Sequence, residues 1–353
     1  MSKVLDKLKA NSKVAEADVL ADSKFFGKRE LTSTPVPMIN VALSGELDGG
    51  LDSGLTILAG PSKHFKTSYA LLIAAAYLEK YKDAALLFYD SEFGSPQAYF
   101  ESFGIDLNRV LHTPVKTIEE LKFDMVSQLE ALDKKDKVII VIDSLGNIAS
   151  KKELEDALNE KSVADMTRAK ALKALFRMTT PYFTMKDVPC LGINHTYQEM
   201  GLFPKAIVSG GTGLYYSASN IWIIGRQQDK VGTEIQGYHF VINVEKSRYV
   251  KEKSKIPISV SWAGGVDKYS GICDLAIEGE FIKKNGQFIQ LLNLETLELE
   301  DKKVREKNIP DTYWADLVKY EPFADYVRDK YKIGLVAMIN DGTEAESDEE
   351  DED

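Results

Sequence analysis

Residues 54–68 read GLTILAGPSKHFKTS. An apolar run, Leu55, Ile57, Leu58 and Ala59, leads into Gly60, and Lys66 and Thr67 follow it. Beyond Ser68 comes Tyr69-Ala70-Leu71-Leu72-Ile73-Ala74-Ala75-Ala76, a segment rich in helix formers. Strand, tight loop, Lys-Thr and helix in that order suit a phosphate-binding loop, because loop N–H groups and the positive end of the helix converge on one anion. The candidate nucleotide contacts are Gly60, Pro61, Ser62, Lys63, His64, Phe65, Lys66, Thr67 and Ser68. Lys66 would reach the β- and γ-phosphates of ATP, and Thr67 would ligate Mg²⁺. Phe65 is off pattern, since the residue before the lysine is usually glycine. The plainer alternative is a strand–helix turn with a surface lysine.

Of the 353 residues 44% are apolar and 28% charged, which suits one large core with small appendages. No apolar run approaches the ~20 residues of a membrane span. The opening MSKVLDKLKANSK lacks an apolar signal core, so the expectation is a cytoplasmic protein with no membrane partner. Cys190 and Cys273 sit in apolar settings without metal-ligand spacing and read as reduced core residues. The net charge of −11 argues at first against nucleic acid, yet residues 344–353, EAESDEEDED, hold eight acids and no base. Such a tail is expected to be disordered. It either solvates the chain or competes with nucleic acid for a cationic groove.

Along the chain, Val4, Leu5, Leu8, Val14, Ala17 and Leu20 recur at roughly helical spacing, and Phe25-Phe26 follows as a packing plug or a subunit anchor. Residues 1–30 are read as an N-terminal helical element. Apolar runs predict strands at 84–89, 138–142, 188–193, 221–224, 239–244 and 256–262. Thr117 and Glu120 form a capping box that opens a helix to about Leu132. A charged stretch at 151–161 precedes a long helix expected at 163–185, and 196–213 reads as an aperiodic loop. The expected fold is α/β, with a mostly parallel central sheet extended by antiparallel strands over residues 31–290. A small C-terminal helical region, 291–342, would contain a final helix at 312–331, and the acidic tail occupies 343–353.

Polar residues fall just after apolar strands: Asp90 and Glu92, Asp143 and Ser144, Asn194 and His195. In an open parallel sheet those ends line the ligand crevice. Asp143 suits a Mg²⁺-holding carboxylate, or else a helix cap. Glu92 suits a base that deprotonates the attacking water, or else a surface carboxylate. His195 is either a γ-phosphate sensor or a satisfied loop residue. Arg168, Lys170, Lys173 and Arg177 give one helix a basic side, which faces nucleic acid or water. Lys205 and the glycines Gly210 and Gly211 offer charge and backbone N–H groups to phosphates. Lys246 and Arg248, two residues apart at a strand end, point the same way. They form a solvated edge or a pair of cationic fingers for a neighbouring subunit's phosphate site.

Together GPSKHFKTS, LLFYDSEFG, VIIVIDSLGN, LGINHT, GGTG and NVEKSR…VKEKSK resemble the RecA-like recombinases, in particular the branch carried by T4-like bacteriophages. The similarity runs from about residue 23 to residue 280. It implies a RecA-like P-loop ATPase core and a DNA-dependent ATPase that uses ATP and Mg²⁺. It implies further a helical filament of protomers on single-stranded DNA, which pairs and exchanges strands with double-stranded DNA in the cytoplasm of a bacterial host. A single-strand DNA-binding protein and a recombination mediator are implied partners, and residues 1–30 the polymerisation element. By the same resemblance, Tyr99 stacks on adenine, Lys246 and Arg248 reach the next protomer's ATP, and Arg168, Gly210 and Gly211 fall in or beside the DNA-binding loops at 151–165 and 196–211. His195 stands where many relatives have glutamine, and Pro96 where cellular relatives have an adenine-reading aspartate. The alternatives are a hexameric helicase of the same fold and a paralogue that loads a recombinase.

If the acidic tail screens duplex DNA, deleting residues 344–353 should raise duplex affinity and lower the magnesium requirement, both measurable by fluorescence anisotropy. Unchanged binding in both respects would leave only the solubility role.

Overall fold

The computed structural model describes residues 2–23, 25, 30–160, 167–199, 205–231 and 234–334. Phe26, residues 163–166 of the expected long helix, residues 200–204 and the acidic tail lie outside them. In chain order the first strands are β1 (Gly54–Ala59), β2 (Ala85–Asp90), β3 (Val110–Pro114), β4 (Val138–Asp143) and β5 (Pro189–Asn194). Then come β6 (Thr196–Gln198), β7 (Ala206–Val208), β8 (Asn220–Val231), β9 (Glu234–Lys246), β10 (Lys255–Ser261) and β11 (Gly265–Val266). Nine of these form one sheet in the order β11-β10-β9-β8-β1-β5-β4-β2-β3. From β8 to β3 all neighbours are parallel, while β9, β10 and β11 continue the sheet antiparallel.

Before the sheet lie α1 (Lys3–Asn11) and α2 (Pro37–Ser44). The crossovers carry α3 (Lys66–Lys80), α4 (Gln97–Ser102), α5 (Ile118–Ala131), α6 (Lys151–Leu158) and α7 (Thr167–Met185). The VIIVI run shows why both faces are covered. Ile139 and Val141 join a core with Leu71 and Ile73 of α3, whereas Ile140 and Ile142 join a second core with Leu121, Met125 and Phe176 of α5 and α7. Alternate side chains leave a strand on opposite sides, so a continuous apolar run requires a layer on each. Thr117 opens α5 with both halves of the capping box in place, and Cys190 and Cys273 are free and buried.

Four segments differ from expectation. The charged stretch at 151–161 contains a helix, α6, opened by a second capping box between Ser150 and Glu153. The supposed loop at 196–213 contains an antiparallel hairpin, with Thr196 opposite Val208 and Gln198 opposite Ala206, followed by α8 (Gly211–Ser217). Such short strands have too few residues for a period to register. Edge strand β3 escapes pattern reading because Leu111 and His112 face solvent. Near the C-terminus, α9 (Ile272–Glu278) is followed by a three-stranded sheet of β12 (Lys283–Asn285), β13 (Phe288–Leu292) and β14 (Leu299–Val304). A boundary at residue 290 falls inside β13, and the final helix is two, α10 (Asp311–Leu317) and α11 (Glu321–Tyr331).

Trp222 of β8 is fully buried, and its indole N–H donates to Ala42 O at 3.2 Å, tying α2 to the sheet. Trp222→Phe should lower unfolding free energy by about 1–3 kcal/mol in urea titrations by stranding that carbonyl. Trp222→Ala should cost about 3–5 kcal/mol through the cavity it leaves.

Candidate active site

The loop after β1 is shaped by three residues with positive φ: Gly60 at 157°, Lys63 at 61° and Phe65 at 61°. For a residue with a side chain the left-handed region costs about 1–2 kcal/mol. Tertiary contacts offset this at both non-glycine positions. The Phe65 ring stacks on Phe240 of β9 at 5.2 Å and meets Tyr69 edge-on at 5.3 Å. Arg226 of β8 donates from Nη1 to Lys63 O at 3.0 Å. His64 Nδ1 pairs with Ser62 O at 2.9 Å. Gly60 and Pro61 precede the segment Ser62 to Ser68 that lines the cleft, and Lys66 Nζ donates to Pro61 O at 2.8 Å. Burial holds the Lys66 ammonium below its usual range, against the opposing pull of Glu92 and Asp143.

The cleft has a volume of 590 Å³ and gathers Lys66, Thr67, Glu92, Tyr99, Asp143 and His195 at the carboxyl ends of the parallel strands. Thr67 Oγ1 donates to Asp143 Oδ2 at 2.9 Å. The other oxygen, Oδ1, is buried and has no hydrogen-bond partner. Burial pushes the Asp143 carboxyl up to about 6; the Thr67 hydroxyl and Lys66 pull it down, and Glu92 and Asp90 add to the rise. An orphaned carboxylate oxygen beside a threonine hydroxyl suits a hard cation such as Mg²⁺, which takes one or two protein oxygens and completes its shell with phosphate and water.

Glu92 Oε1 accepts from Ser144 Oγ and lies 3.2 Å from His195 Nε2. Gly146 makes room for that imidazole, because a Cβ there would lie 2.3 Å from His195 Cδ2. The Tyr99 hydroxyl is hydrogen-bonded to Ser68 Oγ on α3, which fixes the tyrosine ring beside the loop. Sequence reasoning missed Arg226, Tyr238 and Trp262, which also line the cleft. The guanidinium of Arg226 lies 4.7 Å from the Tyr238 ring centroid. Arg226 lies on β8, Tyr238 on β9 and Trp262 just after β10, and their one sequence signal was an apolar Trp at the end of an expected strand, exposed here.

The remaining candidates lie outside the cleft. Lys246 Nζ donates to Tyr215 O at 2.7 Å, at the carboxyl end of α8, and burial followed by the charge of Arg248 holds its ammonium below the usual range. Arg248 is exposed. Arg168 donates from Nη2 to Leu145 O at 2.7 Å and from Nε to Ile148 O at 3.0 Å, bracing the segment after β4. Lys205 is exposed beside β7. Gly210 and Gly211, at φ 108° and 74°, form the turn into α8, which any other residue would strain. The hairpin base is tied to the cleft by Asn194 Nδ2, which donates to Ser209 O at 2.6 Å, and by Ser209 N, which donates to His195 O at 3.0 Å.

The raised Asp143 pKa has a consequence for stability. Its folded value of about 6 exceeds the unfolded ~3.9, so the unfolded chain ionises first as pH rises, and stability falls between about pH 4 and 6. Asp143→Asn should therefore stabilise the ligand-free protein by about 2–3 kcal/mol near about pH 7.5, a gain that shrinks towards about pH 4. Thermal denaturation at both pH values checks this, and equal gains would contradict it.

Residues 21–267 match the RecA N-terminal domain family, and residues 269–327 match the C-terminal domain of the bacteriophage T4 recombination and repair protein. The chain is 51% identical over 348 residues to the recombination and repair protein of Enterobacteria phage T4, an alignment covering 97% of this chain and 88% of that protein. It is 27% identical to protein RecA of Chlorobaculum tepidum, over 67% of this chain and 68% of that one. With protein RecA of Paenarthrobacter aurescens the identity is 26%, over 78% and 82%. A phosphate loop facing a strand-end carboxylate, and a domain match that runs through every strand of the large sheet, lead to one assignment: the chain belongs to the RecA family of recombinases.

Proposed function

We propose that this chain is a DNA-dependent ATPase that forms a helical filament on single-stranded DNA and exchanges strands with a homologous duplex. The observation that carries this reading is the convergence of Lys66, Thr67, Glu92 and Asp143 on one cleft, although they are spread over three crossovers of the sheet. Loop N–H groups and Lys66 would bind the β- and γ-phosphates of ATP, and Tyr99 would carry the base. Thr67 and Asp143 would hold Mg²⁺, which when bound supplies positive charge against the phosphate oxygens. Glu92 would take a proton from water as the water oxygen bonds to the γ-phosphorus; the bond to the ADP oxygen breaks, leaving ADP and inorganic phosphate.

Hydrolysis is coupled to DNA, on this reading, through His195. The imidazole meets Glu92, and the His195 backbone carbonyl accepts the Ser209 N–H at the hairpin base. The hairpin with Lys205, Gly210 and Gly211 would meet DNA phosphates through backbone amides and charge, and Arg168 would support that surface from behind. Self-association is supported by α1, a helix with no buried residue that presents Val4, Leu5 and Leu8 to solvent. Lys246 and Arg248 line no part of their own cleft, which fits fingers that serve a neighbour's ATP. A single-strand DNA-binding protein and a loading mediator would act on such a filament.

Lys66→Ala should lower DNA-stimulated ATP hydrolysis by at least about a hundredfold and abolish strand exchange between homologous DNAs. A doubly substituted Lys246→Ala, Arg248→Ala protein should also be inactive alone. Mixing the two should restore part of the turnover, because an intact cleft then meets intact fingers. Wild-type turnover in Lys66→Ala would refute the site, and a mixture no more active than its parts would refute the fingers.

A further inference from the structure

Two carboxylates stand side by side at the ends of adjacent strands, since Asp90 of β2 pairs in register with Asp143 of β4. Their surroundings differ. Asp143 faces the cleft with one oxygen unpartnered, whereas Asp90 lines no part of it and has donors on both oxygens. We infer that Asp90 is a positioning residue for ATP hydrolysis, supported by His112, and that it acts by fixing the backbone of Glu92; this rests on reading Glu92 as the base.

Asp90 is 4% exposed. Its Oδ1 accepts the backbone N–H of Glu92 at 3.0 Å and that of Phe93 at 2.7 Å. One oxygen thus closes a turn around the glutamate, as Asx side chains do, and holds Phe93 left-handed at φ 55°. On the other side of the glutamate, Ser91 N donates to Asp143 O at 2.8 Å and Ser91 Oγ to Ser144 O at 2.9 Å. The Glu92 backbone is therefore pinned from both directions. What remains free is its side chain, whose carboxylate meets Ser144 and His195.

His112 completes the arrangement. It sits on the adjacent strand β3 with Nε2 at 3.0 Å from Asp90 Oδ2. Nε2 donates to Oδ2 in the tautomer that carries the ring proton there. The imidazole keeps the carboxylate from rotating, and Oδ1 stays on the two N–H groups. A catalytic base moved by a fraction of an ångström loses alignment with its water, and rates fall steeply with such displacements. Neither Asp90 nor His112 needs to touch substrate to matter.

The test uses the full-length protein with single-stranded DNA, measuring kcat and KM for ATP hydrolysis and ADP affinity by calorimetry. Asp90→Ala should lower kcat about tenfold or more while ADP affinity stays within about twofold. Asp90→Asn keeps Oδ1 for the two N–H groups and lets His112 switch tautomer, so it should recover most of the rate. His112→Ala should lower kcat about threefold or more, and His112→Gln, which retains a donor, should restore it. Wild-type kcat in Asp90→Ala, or an Asn variant no better than Ala, would overturn the inference, as would loss of ADP affinity in step with kcat. If Asp90→Ala does not fold, the Asp90→Asn and His112 variants decide by the same criteria. Glu92→Gln separates the two levels. If it turns over at the wild-type rate, the reading of Glu92 as base fails; if it is inactive while Asp90→Ala is active, only the positioning role fails.

Discussion

The hydrogen bond from Thr67 Oγ1 to Asp143 Oδ2 joins the first turn of α3 to the end of β4, over the intervening strand β5. It exists because parallel strands buried on both faces can present polar side chains only at their ends. A carboxylate held there is surrounded by apolar strands and two further acids. Its resistance to ionisation, with the pKa up at about 6, marks a site kept at some expense to stability. The second oxygen, buried and unpartnered, is where that tension is concentrated.

Phe65 illustrates how a loop tolerates a residue that its backbone disfavours. Glycine adopts the left-handed conformation without penalty, whereas phenylalanine needs compensation. The three-ring cluster of Phe65, Tyr69 and Phe240 supplies it, because edge-on and offset aromatic pairs contribute roughly 0.5–1.5 kcal/mol each beyond area burial. Together with the Arg226–Lys63 hydrogen bond, this fastens the loop to β8 and β9, the ribbon that ends in Lys246. Phosphate contact and the far end of that ribbon belong to one packed unit.

His195 lies between Glu92 and the hairpin. Its imidazole reaches Glu92, its carbonyl accepts from Ser209, and Gly146 leaves the space it fills. Arg168 braces the same region by donating to Leu145, Gly146 and Ile148 carbonyls. A shift of the hairpin would therefore be felt at the glutamate through few intermediates.

Much was legible locally. The runs VIIVI and AALLFY state burial on both faces, Thr117 and Glu120 state a helix start, and the order of strand, loop, Lys-Thr and helix states an anion site. The capping box of Ser150 and Glu153 was equally readable, although the charged stretch around it obscured the helix. These signals survive in the sequence because they depend on neighbours within one turn or one strand. Strand order and register were not legible. They alone bring Glu92, Asp143 and His195 together, add Arg226, Tyr238 and Trp262 to the lining of the same cleft, turn Arg168 towards carbonyls and dock Lys246 on the end of α8. Such contacts join residues tens to hundreds of positions apart and have no period of their own. The chemistry available at each strand end is written locally, and only long-range packing chooses which of those ends meet.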